Sequence, residues 1–176
     1  MPCPACGADA TSFKRHRAVY WLDVFDPFTA VAHLRQTPQK VAALLGDLDE
    51  EQLSRQPDGH GWSARQAISH LRDAQGVLRF RLQLMLEQDD PVLESKAVFE
   101  WATQEQERPP ATREIIEAYR AARTQTLAVL ESIALKDWWR TGRHQEFGRL
   151  TLQQQASYFA AHELTHLPQI QALLRT

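Results

Sequence analysis

Apolar residues in this 176-residue chain recur every three or four positions in four separate stretches, and no stretch alternates with the two-residue period of a strand. A 3.6-residue period puts such residues on one side of a helix, which must then be buried against something. The first stretch covers about 29–46, with Val31, Leu34, Val41, Leu44 and Leu45. Pro38 within it predicts a kink or a fresh start capped by Thr37. The second opens after Trp62. Ser63 is a good N-cap and Gln66 completes a capping box, and the helix runs to about Gln88 before Asp89, Asp90 and Pro91. The third follows Pro109 and Pro110, with Thr112 as its expected cap, and reaches about Leu135. The fourth starts near Thr151 and runs almost to the C-terminus. Residues 89–111 are long for a loop, so a short helix is expected there. Four amphipathic helices imply an all-α fold, a four-helix bundle of the up-and-down type.

Residues 1–27 read differently, as an N-terminal extension packed on a domain that spans 28–176. They hold a basic patch (Lys14, Arg15, His16, Arg17), the aromatics Tyr20, Trp21 and Phe25, and the string CPACG with Cys3 and Cys6. Two cysteines at that spacing make half of a zinc knuckle, and no second pair exists to complete it. A zinc site shared between chains and a redox pair stay open beside the plainer reading, a terminus with reduced thiols. A formal net charge of −2 with no basic stripe argues against nucleic acid as a partner. No apolar run approaches the roughly 18 residues that span a bilayer, and no signal-peptide core is visible. A cytoplasmic protein with no membrane partner is the expectation.

The chemistry concentrates in HELTH. His162 and His166 stand one helical turn apart, close enough to share an ion. On a helical wheel, Leu152, Ala156, Phe159, Leu167, Ile170 and Leu174 form the apolar stripe, and both histidines lie on its flank. The second helix repeats this, with Leu71, Ala74, Leu78, Leu82 and Met85 as the stripe and His70 on the flank. Three imidazoles at the border of a core can hold a divalent transition metal such as zinc, nickel or iron. Three protein ligands leave positions open, as a catalytic metal needs.

These residues carry a resemblance. WSARQAISHL, with Trp62, Ser63 and His70, and HELTHLPQI, with His162, His166 and Gln169, resemble two helices of the DinB/YfiT-like superfamily. LRQTP, FRLQLMLEQDDPVL and EFGRLTLQQ are similar as well, so that the resemblance covers about 28–175. It implies a four-helix bundle, a homodimer, and one divalent metal on His70, His162 and His166. It further implies a metal-dependent enzyme acting on a small-molecule substrate, either a hydrolase or a thiol S-transferase with a low-molecular-weight thiol as cosubstrate. The metal would activate a bound water or thiol. The alternative is a metal-binding stress-response module without catalysis.

HELTH also fits the HExxH motif of zinc proteases, in which the glutamate is the general base. Residues 167–176 hold no histidine or acid to serve as a downstream third ligand, and no substrate-binding sheet is predicted. Glu163 remains a general-base candidate, but another reading competes. It falls in the middle of the fourth helix's stripe, as Arg123 does among Ile116, Tyr119, Leu127, Leu130 and Ala134 of the third. Two charges facing one core are expected to pair, although surface snorkelling stays open. Gln169 is a candidate partner for a ligand imidazole or a metal-bound water. Trp62 reads as a core anchor or a substrate platform, and Trp138 and Trp139 as loop anchors or pocket walls. His144 reads as a surface loop histidine, with a fourth ligand or proton shuttle as the alternative.

Overall fold

The computed structural model describes residues 22–57, 61–94 and 110–175. Helix α1 is Pro27–Leu45, α2 Glu50–Ser54, α3 Ala64–Glu87, α4 Thr112–Ser132 and α5 Leu152–Leu173. A 3-10 turn at Leu135–Trp139 leads into a small sheet of β1 Val92–Leu93, β2 Thr141–His144 and β3 Gly148–Thr151. The four long helices form the expected bundle. Helix α1 packs against α4 and α5, and α3 packs against the same two, so α1 and α3 face each other across the bundle. Consecutive helices are therefore not always neighbours, as they are in a simple up-and-down bundle. The connections that contain α2 and the sheet are long enough to cross an end of the bundle.

Local chemistry explains the helix ends. Ser63 accepts from Gln66 N at 3.2 Å while the Gln66 carboxamide accepts from Ser63 N at 2.8 Å, the capping box read in the sequence. Thr151 and Gln154 repeat the device at α5. Thr112 is not the cap expected of it. It is the first residue of α4, and its N–H and hydroxyl both donate, at 2.8 Å, to the Glu50 carboxylate on α2. The acid at the start of one helix thus caps another, a contact that no local pattern announces. Helix α1 neither stops nor restarts at Pro38. Thr37 Oγ1 turns back to His33 O at 2.8 Å instead of capping. Pro38 has no N–H for the carbonyl of Leu34, and the guanidinium of Arg123 donates to that carbonyl instead.

The sheet corrects the expectation that strands are absent. Strand β1 pairs parallel with β2, placing Leu93 opposite His144, and β2 pairs antiparallel with β3. Gly142 is required where the sheet meets α3, since a Cβ there would lie 2.9 Å from Leu93 and 3.1 Å from Met85. The core has two parts. One joins the C-terminal half of α3 (Leu78, Leu82, Met85) to the N-terminal half of α5 (Leu152, Ala156, Phe159) beside the sheet. The other joins Ile68 and Leu71 to Ile170 near α2. Helices α3 and α5 therefore run antiparallel. Leu22 and Phe25, at the end of the extension, pack on the first part, and the backbone N–H groups of Val24 and Phe25 donate to Ser157 Oγ. Cys3, Cys6, the basic patch, Tyr20, Trp21 and the short helix expected within 89–111, beyond Glu94, lie outside the described residues. No helix is long and apolar enough to cross a membrane, among the described residues.

Candidate metal centre

His70 on α3 and His162 and His166 on α5 meet where the two helices pass. Their Nε2 atoms face one another, 3.3 Å from His70 to His162 and 3.0 Å from His162 to His166. All three can offer one ligand nitrogen within 4.8 Å of the others. His70 and His166 are buried and His162 is half-buried, so the cluster closes against the core and opens on one side. Gln169 Oε1 lies 2.6 Å from His166 Nδ1. A carboxamide oxygen only accepts, so it fixes the proton on Nδ1 and leaves the Nε2 lone pair facing the cluster, the arrangement of a metal-ligating imidazole.

Electrostatics keep the two α5 rings in the ligand form. Burial, reinforced by the neighbouring His166 and His70, pushes His162 down to about 3. Burial also lowers His166, against the opposing effect of the Gln169 bond. Three imidazoles whose nitrogens converge, one with its tautomer fixed by a neighbour, form a donor set that suits a borderline divalent cation. The residues present fit such a group.

Aromatic rings frame the cluster. Trp62 stacks on His166 with centroids 6.2 Å apart and planes 10° from parallel, and its centroid is 5.0 Å from that of His70. It also packs on the second part of the core, so it is both anchor and wall. Tyr158, one turn before His162, stacks on that ring at 5.9 Å. Trp138 is buried in the core and Trp139 is exposed. His144 is not a surface histidine. It is 5% exposed, lies in β2, and stacks on Phe147 at 4.3 Å, with its Nδ1 accepting from Glu146 N at 3.1 Å.

Behind the histidines, Glu163 and Arg123 form a buried ion pair, at 0% and 3% side-chain exposure. Glu163 Oε1 also accepts from Gln75 Nε2 at 2.6 Å, and Oε2 accepts from the Tyr119 hydroxyl at 3.1 Å. Arg123 Nε donates to Gln75 Oε1 at 2.9 Å and Nη2 to the Tyr119 oxygen at 3.2 Å. Burial pushes the Glu163 carboxyl up, and Arg123, Tyr119 and Gln75 pull it back. The same burial, helped by the Glu163 charge, raises the Tyr119 phenol well above its usual value.

Tyr158, Gln75 and Arg81 were not among the residues singled out from the sequence. Each carried a signal: Tyr158 precedes His162 by one turn, while Gln75 and Arg81 interrupt the apolar stripe of α3, as Arg123 does that of α4. Pro168 too sits inside α5, two residues beyond His166, where it removes the N–H that would reach the carbonyl of Leu164.

The sequence profile of the DinB superfamily matches residues 33–170. A protein of Oceanobacillus iheyensis described as a "putative metal-dependent hydrolase" is 26% identical over 147 residues, covering 82% of this chain and 84% of its own. A Halalkalibacterium halodurans protein of the same description is 28% identical over 149 residues, 83% of this chain and 85% of its own. The solved structure of YfiT from Bacillus subtilis, described as a "probable metal-dependent hydrolase with an unusual four-helix bundle topology", superimposes with a TM-score of 0.76 over 93% of this chain and 92% of its own. At 19% identity that likeness is one of fold.

Proposed function

The chain belongs to the DinB superfamily, and on that premise we propose that it is a divalent-metal-dependent hydrolase with His70, His162 and His166 as ligands. The observation that carries this reading is the convergence of three Nε2 atoms beside the half-buried face of His162. Relatives described as metal-dependent hydrolases support the reaction class. When bound, the cation supplies Lewis-acid activation of a water at neutral pH.

The chain's own residues do the rest. Gln169 holds the His166 tautomer. Trp62 and Tyr158 cover the outer faces of the rings and limit the approach of bulk water. The carboxylate of Glu163 is turned into the core and occupied by three donors, so it holds α5 in place and does not face a reacting water. A zinc-protease role for HELTH would need that carboxylate at the open side.

The same open position would also accept a low-molecular-weight thiol, which is the transferase reading. Protein loaded in turn with zinc, nickel and iron is assayed against chromogenic esters, amides and phosphodiesters, with and without added thiols. Metal-dependent release without thiol, lost in the double variant His162→Ala, His166→Ala, is the expected result. Turnover that requires thiol would replace hydrolysis by transfer. Full activity in the double variant would remove the three histidines from the reaction.

A further inference from the structure

Arg81 lies on α3 about three turns, roughly 16 Å of axial rise, beyond His70. At about 100° per residue it returns to nearly the same face. It is 6% exposed. Its Nη2 donates to Glu94 O at 2.7 Å, and among the described residues that carbonyl is its one hydrogen-bond partner and no ion pair reaches it. An arginine keeps its charge, and a buried charge requires a counter-charge or a full set of acceptors. Burial pushes the guanidinium below its usual value, and Tyr158 and then Glu146 act against that through space without an ion-pair contact, while the one neutral carbonyl leaves most of the guanidinium fork without an acceptor.

The surroundings of Arg81 connect it to the histidines. From His162 a row of rings runs through Tyr158 and then Phe147, 5.5 Å away, to His144, stacked on Phe147. His144 stands opposite Leu93, the residue before the carbonyl that Arg81 holds. Burial and then the Arg81 charge hold His144 below its usual value, against the opposing charge of Glu146. Because α3 and α5 are antiparallel, the row on α5 and the His70-to-Arg81 face on α3 lead in the same direction. Gln155 on α5 is a second buried polar group short of partners. It is fully buried two turns before His162, on the same face, and neither its carboxamide N nor its O has a partner among the described residues. Native folds rarely leave such a group unmet without a functional reason.

We propose that Arg81 anchors a carboxylate of the substrate while the reacting end of the same molecule lies at the three histidines. This rests on the reading of those histidines as metal ligands and adds the substrate class, a small acid whose reactive group is separated from its carboxylate by a spacer. A planar guanidinium with a spare fork matches a carboxylate bidentately. If Arg81 served only to tether β1 to α3, one N–H would suffice, which is the structural outcome the test must exclude.

The probes are linear mercaptoalkanoic acids of graded length and the matching mercaptoalkanols, titrated calorimetrically into zinc-loaded and chelator-treated protein. The thiol reports on the metal and the carboxylate on Arg81. At one favoured length the acid binds the wild type roughly 10- to 100-fold more tightly than the alcohol, the worth of a hydrogen bond to a charged group. Arg81→Met erases that preference and leaves alcohol binding unchanged. Arg81→Lys, which keeps the charge, retains part of it and separates loss of charge from a folding defect. Equal binding of acid and alcohol at every length overturns the proposal, as does a preference that survives Arg81→Met or failure of both probes to bind. Loss of the zinc dependence alone, with the acid preference intact, counts against the metal reading and leaves Arg81 standing.

Discussion

Single side chains in this protein answer to partners brought in from other helices. The Leu34 carbonyl, left without an intrahelical donor by Pro38, is taken by Arg123, which also pairs with Glu163. That pair shows what one residue can and cannot reveal. Charges in the middle of two apolar stripes were readable as an expected pair, because a lone buried charge is untenable. The donors that complete it, Gln75 and Tyr119, were not, because their roles depend on which helices come together. Glu163→Gln leaves the Arg123 charge buried without its counter-ion and should lower stability by roughly 3–5 kcal/mol. Chemical denaturation of the metal-free protein measures this. An unchanged midpoint, with only turnover reduced, would return Glu163 to the role of general base. His144 departs from its reading as a surface loop histidine because its burial depends on distant pairing: at the end of β2 it is folded by the hairpin onto Phe147.

The helices themselves were readable where their signals are local. Ser63 with Gln66 and Thr151 with Gln154 mark the starts of the two helices that carry the histidines. The flank positions of His70, His162 and His166 follow from the 3.6-residue period alone. The short elements escaped because strands of four residues and a helix of five leave too few positions for a period to emerge. They are held by distant contacts, such as Arg140 Nε donating to Met85 O at 2.7 Å and Glu50 meeting Thr112. The Ser63 cap lies one residue from Trp62 and two turns from His70, so it fixes both the ring and the ligand. Ser63→Ala should cost about 1 kcal/mol of stability. It should weaken metal affinity by more than the same change at Thr151, whose helix end lies farther from the histidines. Thermal melts and competitive metal titration of the two variants test the difference; equal affinities would show that the cap serves the helix and not the centre.

As a whole, the molecule is a bundle whose long crossings put α3 and α5 side by side, so that three histidines from two helices share one point. Pairing of two copies is our expectation from the family resemblance, and the apolar groups exposed at Phe28, Leu135 and Trp139 are candidates for such a contact. Sedimentation equilibrium at micromolar concentration should give a dimer mass, and a monomer mass would count against pairing. The central claim is that the three imidazoles hold a metal. Binding to the folded state alone would add about 2.7 kcal/mol of stability at a free metal concentration one hundred times the dissociation constant. The most direct measurement is elemental analysis of the purified full-length protein beside its His162→Ala, His166→Ala variant, with folding of both checked by circular dichroism. The account predicts stoichiometric divalent transition metal in the wild type and essentially none in the variant. Equal metal in the two proteins, or none in the wild type after incubation with zinc, nickel and iron, would contradict it.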